Sequence, residues 1–333
     1  MKKLASCLCA VALACACMVM LAGCGGSSSS EQSSNASKDS SITAAKVTIG
    51  TLATEDILPM WVAEDEGIFS EVGVDATVQT FQSATELIAA VNAGEVDFAM
   101  TDPMVTASIY ASGTDVQIEW VTLGTTAAQG RFGIMTADDS ITSLKDLAGV
   151  EIGVGSNTIL EYVMDKLMEE AGVSDDDIKV SELQKLPVRY QAMASGQVKA
   201  AALPASLLAL GEASGYRVIA DDTSGDNISQ SVMIANSNFL ESDAGKAAAQ
   251  ALKNAWDKAA EEINAAPENY RALLAEKASL SDAVAETYEL SEYPTCQLPT
   301  QEQVDDVLSW MKKKEYLAEG ITYDAATGTF SGR

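Results

Sequence analysis

Three acids and a set of hydroxyl groups carry most of the reactive chemistry this sequence offers. Glu55 and Asp56 follow Thr51 and Thr54, Asp102 follows Thr101, and Ser83, Ser156, Asn157 and Thr158 stand just before apolar helical patterns. Carboxylates beside hydroxyls can hold a cation, accept hydrogen bonds or act as acid and base. Histidine is absent from the chain. That removes Ser-His-Asp and Cys-His catalysis, the HExxH zinc site and the commonest transition-metal ligand. No phosphate loop of the GxxxxGK[ST] kind occurs either. The residues therefore favour binding over catalysis, and no cofactor is implied.

The elements that position these groups can be read from the spacing. Ser83 with Glu86 forms a capping box for a helix whose apolar face is Ala84, Leu87, Ile88 and Val91. Gly94 stops it in the left-handed conformation. A buried strand at 96–100 follows, and Asp102-Pro103 caps the next helix. The same plan returns further on. Gly94 matches Gly196, residues 47–50 match 150–153, and residues 71–74 match 170–173, all at nearly one offset. The repeat predicts two α/β lobes of similar plan. Strands are expected at 47–52, 74–81, 96–100 and 116–123 in the first lobe. The second lobe has them at 150–155, 178–183 and 198–203, flanked by 131–136 and 230–235. Thr158 and Glu161 read as a second capping box, and Ser143 with Asp146 as a cap for a short helix. From 242 onward the pattern is helical: Ala248, Leu252, Trp256 and Ala259 share a face, and Thr300 with Gln303 opens a last amphipathic helix. This tail reads as returning to cover the first lobe; a separate helical domain is the alternative. The boundaries are 46–127 and 237–333 for the first lobe and 128–236 for the second.

With 333 residues, 47% of them hydrophobic, the chain can bury two cores, and its formal net charge of −27 disfavours nucleic acid as a partner. Residues 1–23 form a targeting segment, with Lys2-Lys3 ahead of an uncharged apolar run. It closes on Leu21-Ala22-Gly23-Cys24, which resembles a bacterial lipobox with Cys24 as the lipidated residue; an uncleaved membrane anchor is the alternative. Residues 24–45 are a serine-rich tether. Cys296 is then the free thiol of the mature chain and, with no histidine as base, reads as structural. The acid runs 174–177 and 221–227 lack EF-hand spacing and read as solvated turns.

Several runs resemble a known family. These are Leu58-Pro59-Met60-Trp61-Val62-Ala63-Glu64-Asp65-Glu66-Gly67-Ile68-Phe69, Ala93-Gly94-Glu95-Val96-Asp97-Phe98-Ala99, Ser143-Leu144-Lys145-Asp146-Leu147-Ala148-Gly149 and Ser195-Gly196-Gln197-Val198-Lys199-Ala200-Ala201. In order and spacing they look like the solute-binding proteins for nitrate, sulfonates, taurine and thiamine pyrimidines, the SsuA/THI5-like family. The resemblance covers 47–239. It implies a type II periplasmic-binding-protein fold, two lobes joined by two hinge strands with ligand in the cleft. It also implies an ABC permease and ATPase as partners, a monomer, and a place on the outer face of the cell membrane through the lipid at Cys24. Fungal pyrimidine synthases of related fold consume an active-site histidine, which this chain lacks. The competing readings are a ligand-sensing lipoprotein without a transporter and an extracellular enzyme.

In open α/β sheets, ligands bind beyond the carboxyl ends of strands. That rule selects the loops at 51–56, 81–85, 101–102, 155–158, 185–187 and 203–205. The candidate ligand-binding residues are Thr51, Thr54, Glu55, Asp56, Ser83, Thr101, Asp102, Arg131, Ser156, Asn157, Thr158 and Pro204. Ser83, Asp102 and Thr158 are equally good helix caps. Glu55 and Asp56 could be solvated loop acids, and Arg131 could pair with an acid instead of a ligand anion. Trp61 continues an apolar face and reads as core. Helix N-termini favour an anionic group and the three acids a cationic one, so a zwitterion or a neutral polar heterocycle suits both.

Overall fold

The computed structural model describes residues 46–333. The targeting segment, Cys24 and the tether lie outside the described residues. Among those described, no helix is long and apolar enough to cross a membrane.

Among the described residues the strands form two sheets. The strands are β1 (Lys46–Leu52), β2 (Asp75–Phe81), β3 (Phe98–Thr101), β4 (Val116–Leu123), β5 (Phe132–Thr136), β6 (Glu151–Val154), β7 (Lys179–Glu182), β8 (Ala200–Pro204), β9 (Arg217–Asp221), β10 (Ser231–Asn236), β11 (Thr322–Asp324) and β12 (Thr329–Ser331). The first sheet has the order β11-β12-β4-β10-β3-β1-β2 and the second β7-β6-β8-β5-β9. In the first, β1 pairs in parallel with β2 and β3, and β10 inserts antiparallel between β3 and β4. In the second, β6 pairs in parallel with β7 and β8, and β5 lies antiparallel between β8 and β9. The repeat read from sequence is thus a repeat of sheet plan: β2-β1-β3 matches β7-β6-β8, each completed by one antiparallel insert.

The inserts exchange between lobes. β5 follows β4 in sequence yet joins the second sheet, and β10 follows β9 yet joins the first. The boundary expected at 236 therefore shifts, because 231–236 pairs with β3 and β4. Two segments cross between the lobes, 124–131 and 222–230, each irregular between the strands it joins. They run against each other: Asn227 Nδ2 donates to Gly124 O at 2.8 Å. Gly124 has φ +94°, and a Cβ there would lie 2.1 Å from Ser229 O. Only glycine fits both the backbone angle and the approach. Asp222, expected in a solvated turn, is buried. It accepts from Phe132 N at 2.8 Å and from the Ser229 hydroxyl.

Local chemistry explains most elements. Ser83 Oγ accepts from Glu86 N at 3.2 Å, Gly94 has φ +69°, and Thr300 with Gln303 closes a full capping box. Two boxes differ from expectation. Glu86 accepts from Gln82 N rather than from Ser83 N, and Glu161 accepts from Asn157 N, one residue before the expected Thr158. Thr158 Oγ1 instead donates to Gly155 O. The tail lies on the first sheet. The face Ala248, Leu252, Trp256 and Ala259 of the Asp243–Ala265 helix is buried with Trp61, Met60 and Trp120. Trp256 Nε1 donates to Pro294 O at 2.8 Å. The hairpin β11-β12, which the sequence pattern did not reveal, extends the sheet beyond β4.

Candidate functional site

A cavity of about 60 Å³ sits between the carboxyl ends of the two sheets. This exceeds the roughly 10–15 Å³ that such a cavity needs to admit one water, so it has room for water or a small solute. The first lobe contributes Thr54, Asp56, Thr101 and Asp102, with Leu52, Ala84, Leu87 and Met100. The second contributes Thr158, Ile159, Leu160, Gln184, Leu186, Arg189 and Pro204; Phe132 and Ser231 come from the two inserted strands. The walls are apolar with few polar groups, the usual composition of a small-molecule site.

The lobes meet closely around it. Ile159 N donates to Asp102 Oδ2 at 3.2 Å, and Asn157 Nδ2 donates to Ser108 Oγ at 2.8 Å. Lys185 pairs with Glu86 at 2.8 Å. At the far side, the tail helix Gln301–Lys313 bears on the second lobe. Trp310 Nε1 donates to Asp165 at 3.0 Å, its ring stands edge-on to Tyr162, and Lys314 pairs with Glu161 and Asp165.

Six of the twelve expected residues line the cavity: Thr54, Asp56, Thr101, Asp102, Thr158 and Pro204. Thr54 Oγ1 donates to Asp56 Oδ2 at 3.0 Å. Burial pushes the Asp56 carboxyl up to about 6, against hydrogen bonds from Thr54 and Ser231 that favour its ionised form. Asp102 caps two helices at once, accepting from Val105 N at 2.8 Å in its own lobe and from Ile159 N in the other. Burial raises it to about 6 as well.

The other six lie off the cavity. Thr51 donates to Leu52 O, and Ser83 is spent on its cap. Glu55 points the other way, into a separate surface depression, where the hydroxyls of Tyr288 and Ser291 donate to it. Burial raises it to about 7. Arg131 pairs with Asp221 at 2.7 Å and Glu212 at 3.0 Å, both within the second lobe. Ser156 gives its N–H and hydroxyl to Glu182. Asn157, at φ +59°, bridges the lobes without reaching the cavity.

Sequence reasoning missed Arg189, Gln184 and Ser231. Arg189 was detectable: in the Leu186–Ala194 helix it falls on the face of Leu186, Tyr190 and Met193, a lone charge in an apolar stripe. It is 2% exposed. Its Nε donates to Leu183 O at 2.8 Å, Nη1 to Ala202 O at 3.0 Å and Nη2 to Gln184 O at 3.4 Å. Burial pulls it down to about 10, so it stays charged near neutrality. Gly155 makes room for it, since a Cβ there would meet Nη2 at 2.6 Å. Among the described residues, no group of three His, Cys, Asp or Glu could hold a metal ion.

Comparison with known proteins agrees with this architecture. The alkanesulfonate-binding protein SsuA of Xanthomonas axonopodis pv. citri, bound to MOPS, superposes with a TM-score of 0.71 at 18% identity, over 83% of this chain and 95% of that one. The periplasmic aliphatic sulphonate binding protein SsuA of Escherichia coli gives 0.69 at 17%, over 86% and 92%. These likenesses establish the two-lobe periplasmic-binding-protein fold. A Brucella abortus protein described as a binding protein is 27% identical over 142 residues, 43% of this chain and 42% of its own length. The chain thus spans less than half of that curated relative. Residues 54–269 match the family described as NMT1/THI5 like. With most of both sheets inside that match, the chain belongs to the NMT1/THI5-like family.

Proposed function

We propose that this protein is the extracytoplasmic solute receptor of an ABC importer. It captures a small polar or zwitterionic solute, sulfonate- or pyrimidine-like, between its lobes and passes it unchanged to a permease driven by an ATPase. The observation that carries this reading is the small cavity at the seam, lined from both lobes, with apolar walls and separated charges. Binding there favours the closed form over the open one by as much as the solute prefers it. Thr54, Asp56, Thr101, Asp102, Thr158, Arg189 and Pro204 form the binding set in this reading. The lipid at Cys24 holds a monomer near the membrane. The SsuA relatives are named as sulfonate-binding proteins, which supports a receptor rather than an enzyme.

The test is mass spectrometry of small molecules released by denaturing the purified protein, followed by small-angle scattering with and without the released compound. One compound, recovered unchanged and compacting the protein on re-addition, is the expected result. Conversion of that compound on incubation would replace the receptor by an enzyme. No compound and no compaction would remove the reading.

A further inference from the structure

Charge in the cleft is arranged in an unusual way for a closed interior. Arg189 is the cationic residue among those lining the cavity. Its hydrogen-bond partners are three carbonyl oxygens, and it forms no ion pair within contact distance. A guanidinium has five N–H groups. One on each terminal nitrogen therefore remains without a protein acceptor. Asp56, on the opposite lobe, is equally buried and is met only by hydroxyls. Burying a single ion costs several kcal/mol unless a counter-charge or full hydrogen bonding offsets it. Two opposite charges that line one small cavity without touching leave the gap between them as the place of compensation.

The other cationic candidates are already occupied. Arg131 is held by Asp221 and Glu212. The N-terminus of the Ile159–Glu170 helix, an obvious anion site, is filled by the protein's own carboxylates. Asp102 takes Ile159 N and Glu161 takes Asn157 N. An incoming anion thus meets bound carboxylates at the helix, whereas at Arg189 the direct partners are carbonyl oxygens and Glu182 acts on it only through its charge.

We propose that Arg189 is the specificity-determining anion anchor of the cleft and that Asp56 faces it as the cation partner. The solute is then a short aliphatic zwitterion, its oxyanion held by the second lobe and its amine by the first. This inference rests on the cleft being the solute site. The fork geometry of arginine suits a two-oxygen grip on a carboxylate or sulfonate head. The intervening body packs on Leu186, Phe132 and Met100.

Calorimetry of the purified protein with four probes of similar length tests it: 3-aminopropanoate, 2-aminoethanesulfonate, propylamine and propanoate. Both zwitterions bind, and each singly charged probe binds at least about tenfold more weakly. Arg189→Gln lowers zwitterion affinity about 100-fold. Asp56→Asn lowers it about tenfold and raises propanoate affinity. If Arg189→Gln does not fold, Gly155→Ala serves instead, because its methyl displaces Nη2 and leaves the charge in place. Tightest binding by propylamine, no binding of any probe, or unchanged zwitterion affinity in folded Arg189→Gln or in both Gly155→Ala and Asp56→Asn overturns the assignment. A co-purifying solute that is neutral or purely cationic sinks this inference yet leaves the receptor reading standing. A protein with no co-purifying solute and no compaction sinks the receptor reading itself.

Discussion

Beyond β1 and β3 of the first lobe stand Asp56 and Asp102; in the second, Thr158 stands beyond β6, Pro204 ends β8, and Arg189 lies in the Leu186–Ala194 helix that follows β7. The two sheets repeat one strand order, while the groups at their ends are opposite in charge. Sheet plan is set by many interchangeable apolar positions, so it survives divergence. Charge at the rim is set by one or two residues, so it can change without cost to the plan. A duplicated scaffold can thereby present two different faces to one solute.

The largest expected effect comes from breaking the link that lets the lobes be compared at all. Gly124→Ala combines a positive φ with a backbone clash at Ser229 O, and should cost about 3 kcal/mol. A urea melt measures this. A change below about 0.5 kcal/mol would mean the links do not hold each other as described.

A pH series probes the acid face next. Glu55 is raised to about 7, and Asp56, Asp102 and Asp222 to about 6. Acids raised by folding bind protons more readily in the native state, so their contribution to stability is greatest when protonated and falls as pH climbs through 6 to 7. Asp138, Asp146, Asp175 and Asp221 are lowered by folding and lose their contribution in stronger acid. The melting temperature should therefore be higher near pH 5 than at pH 8, and Glu55→Gln should flatten that slope. A rise in melting temperature from pH 5 to pH 8 would contradict the burial of these acids.

Asp102→Asn sharpens the comparison further, since this one carboxylate caps a helix in each lobe. A loss of about 1–2 kcal/mol, with more extended scattering in the absence of solute, is expected. A stability loss without expansion would confine Asp102 to its own helix. Smallest is Lys185→Ala, which removes the exposed pair with Glu86 across the seam and should change stability by less than about 1 kcal/mol.

How much of this was readable in the residues depended on whether the signal was local. Ser83, Gly94, Asp102 and Thr300 act through neighbours three or four residues away, and their helices were legible. The repeat around Gly94 and Gly196 revealed the common sheet plan for the same reason. Strands β9, β11 and β12 are short and gain stability only from distant partners, so no pattern announced them. The exchange of β5 and β10 between sheets is likewise a matter of pairing. At the cavity, Asp56 and Asp102 were expected from the rule about strand ends, and both line it. Arg189 lies beyond the strand-end loop, inside a helix, where charge was read as surface. Asp222 was hidden in a run of acids whose other members resemble turn residues.

Trp310 offers an optical consequence. Of the four tryptophans, Trp61, Trp120 and Trp256 are sealed in the first lobe, where a rigid-body swing leaves their surroundings unchanged. Trp310 alone donates across the seam, to Asp165, with its ring against Tyr162. Parting the lobes would wet that indole and shift its emission to the red, giving the molecule a built-in fluorescent gauge of its own opening.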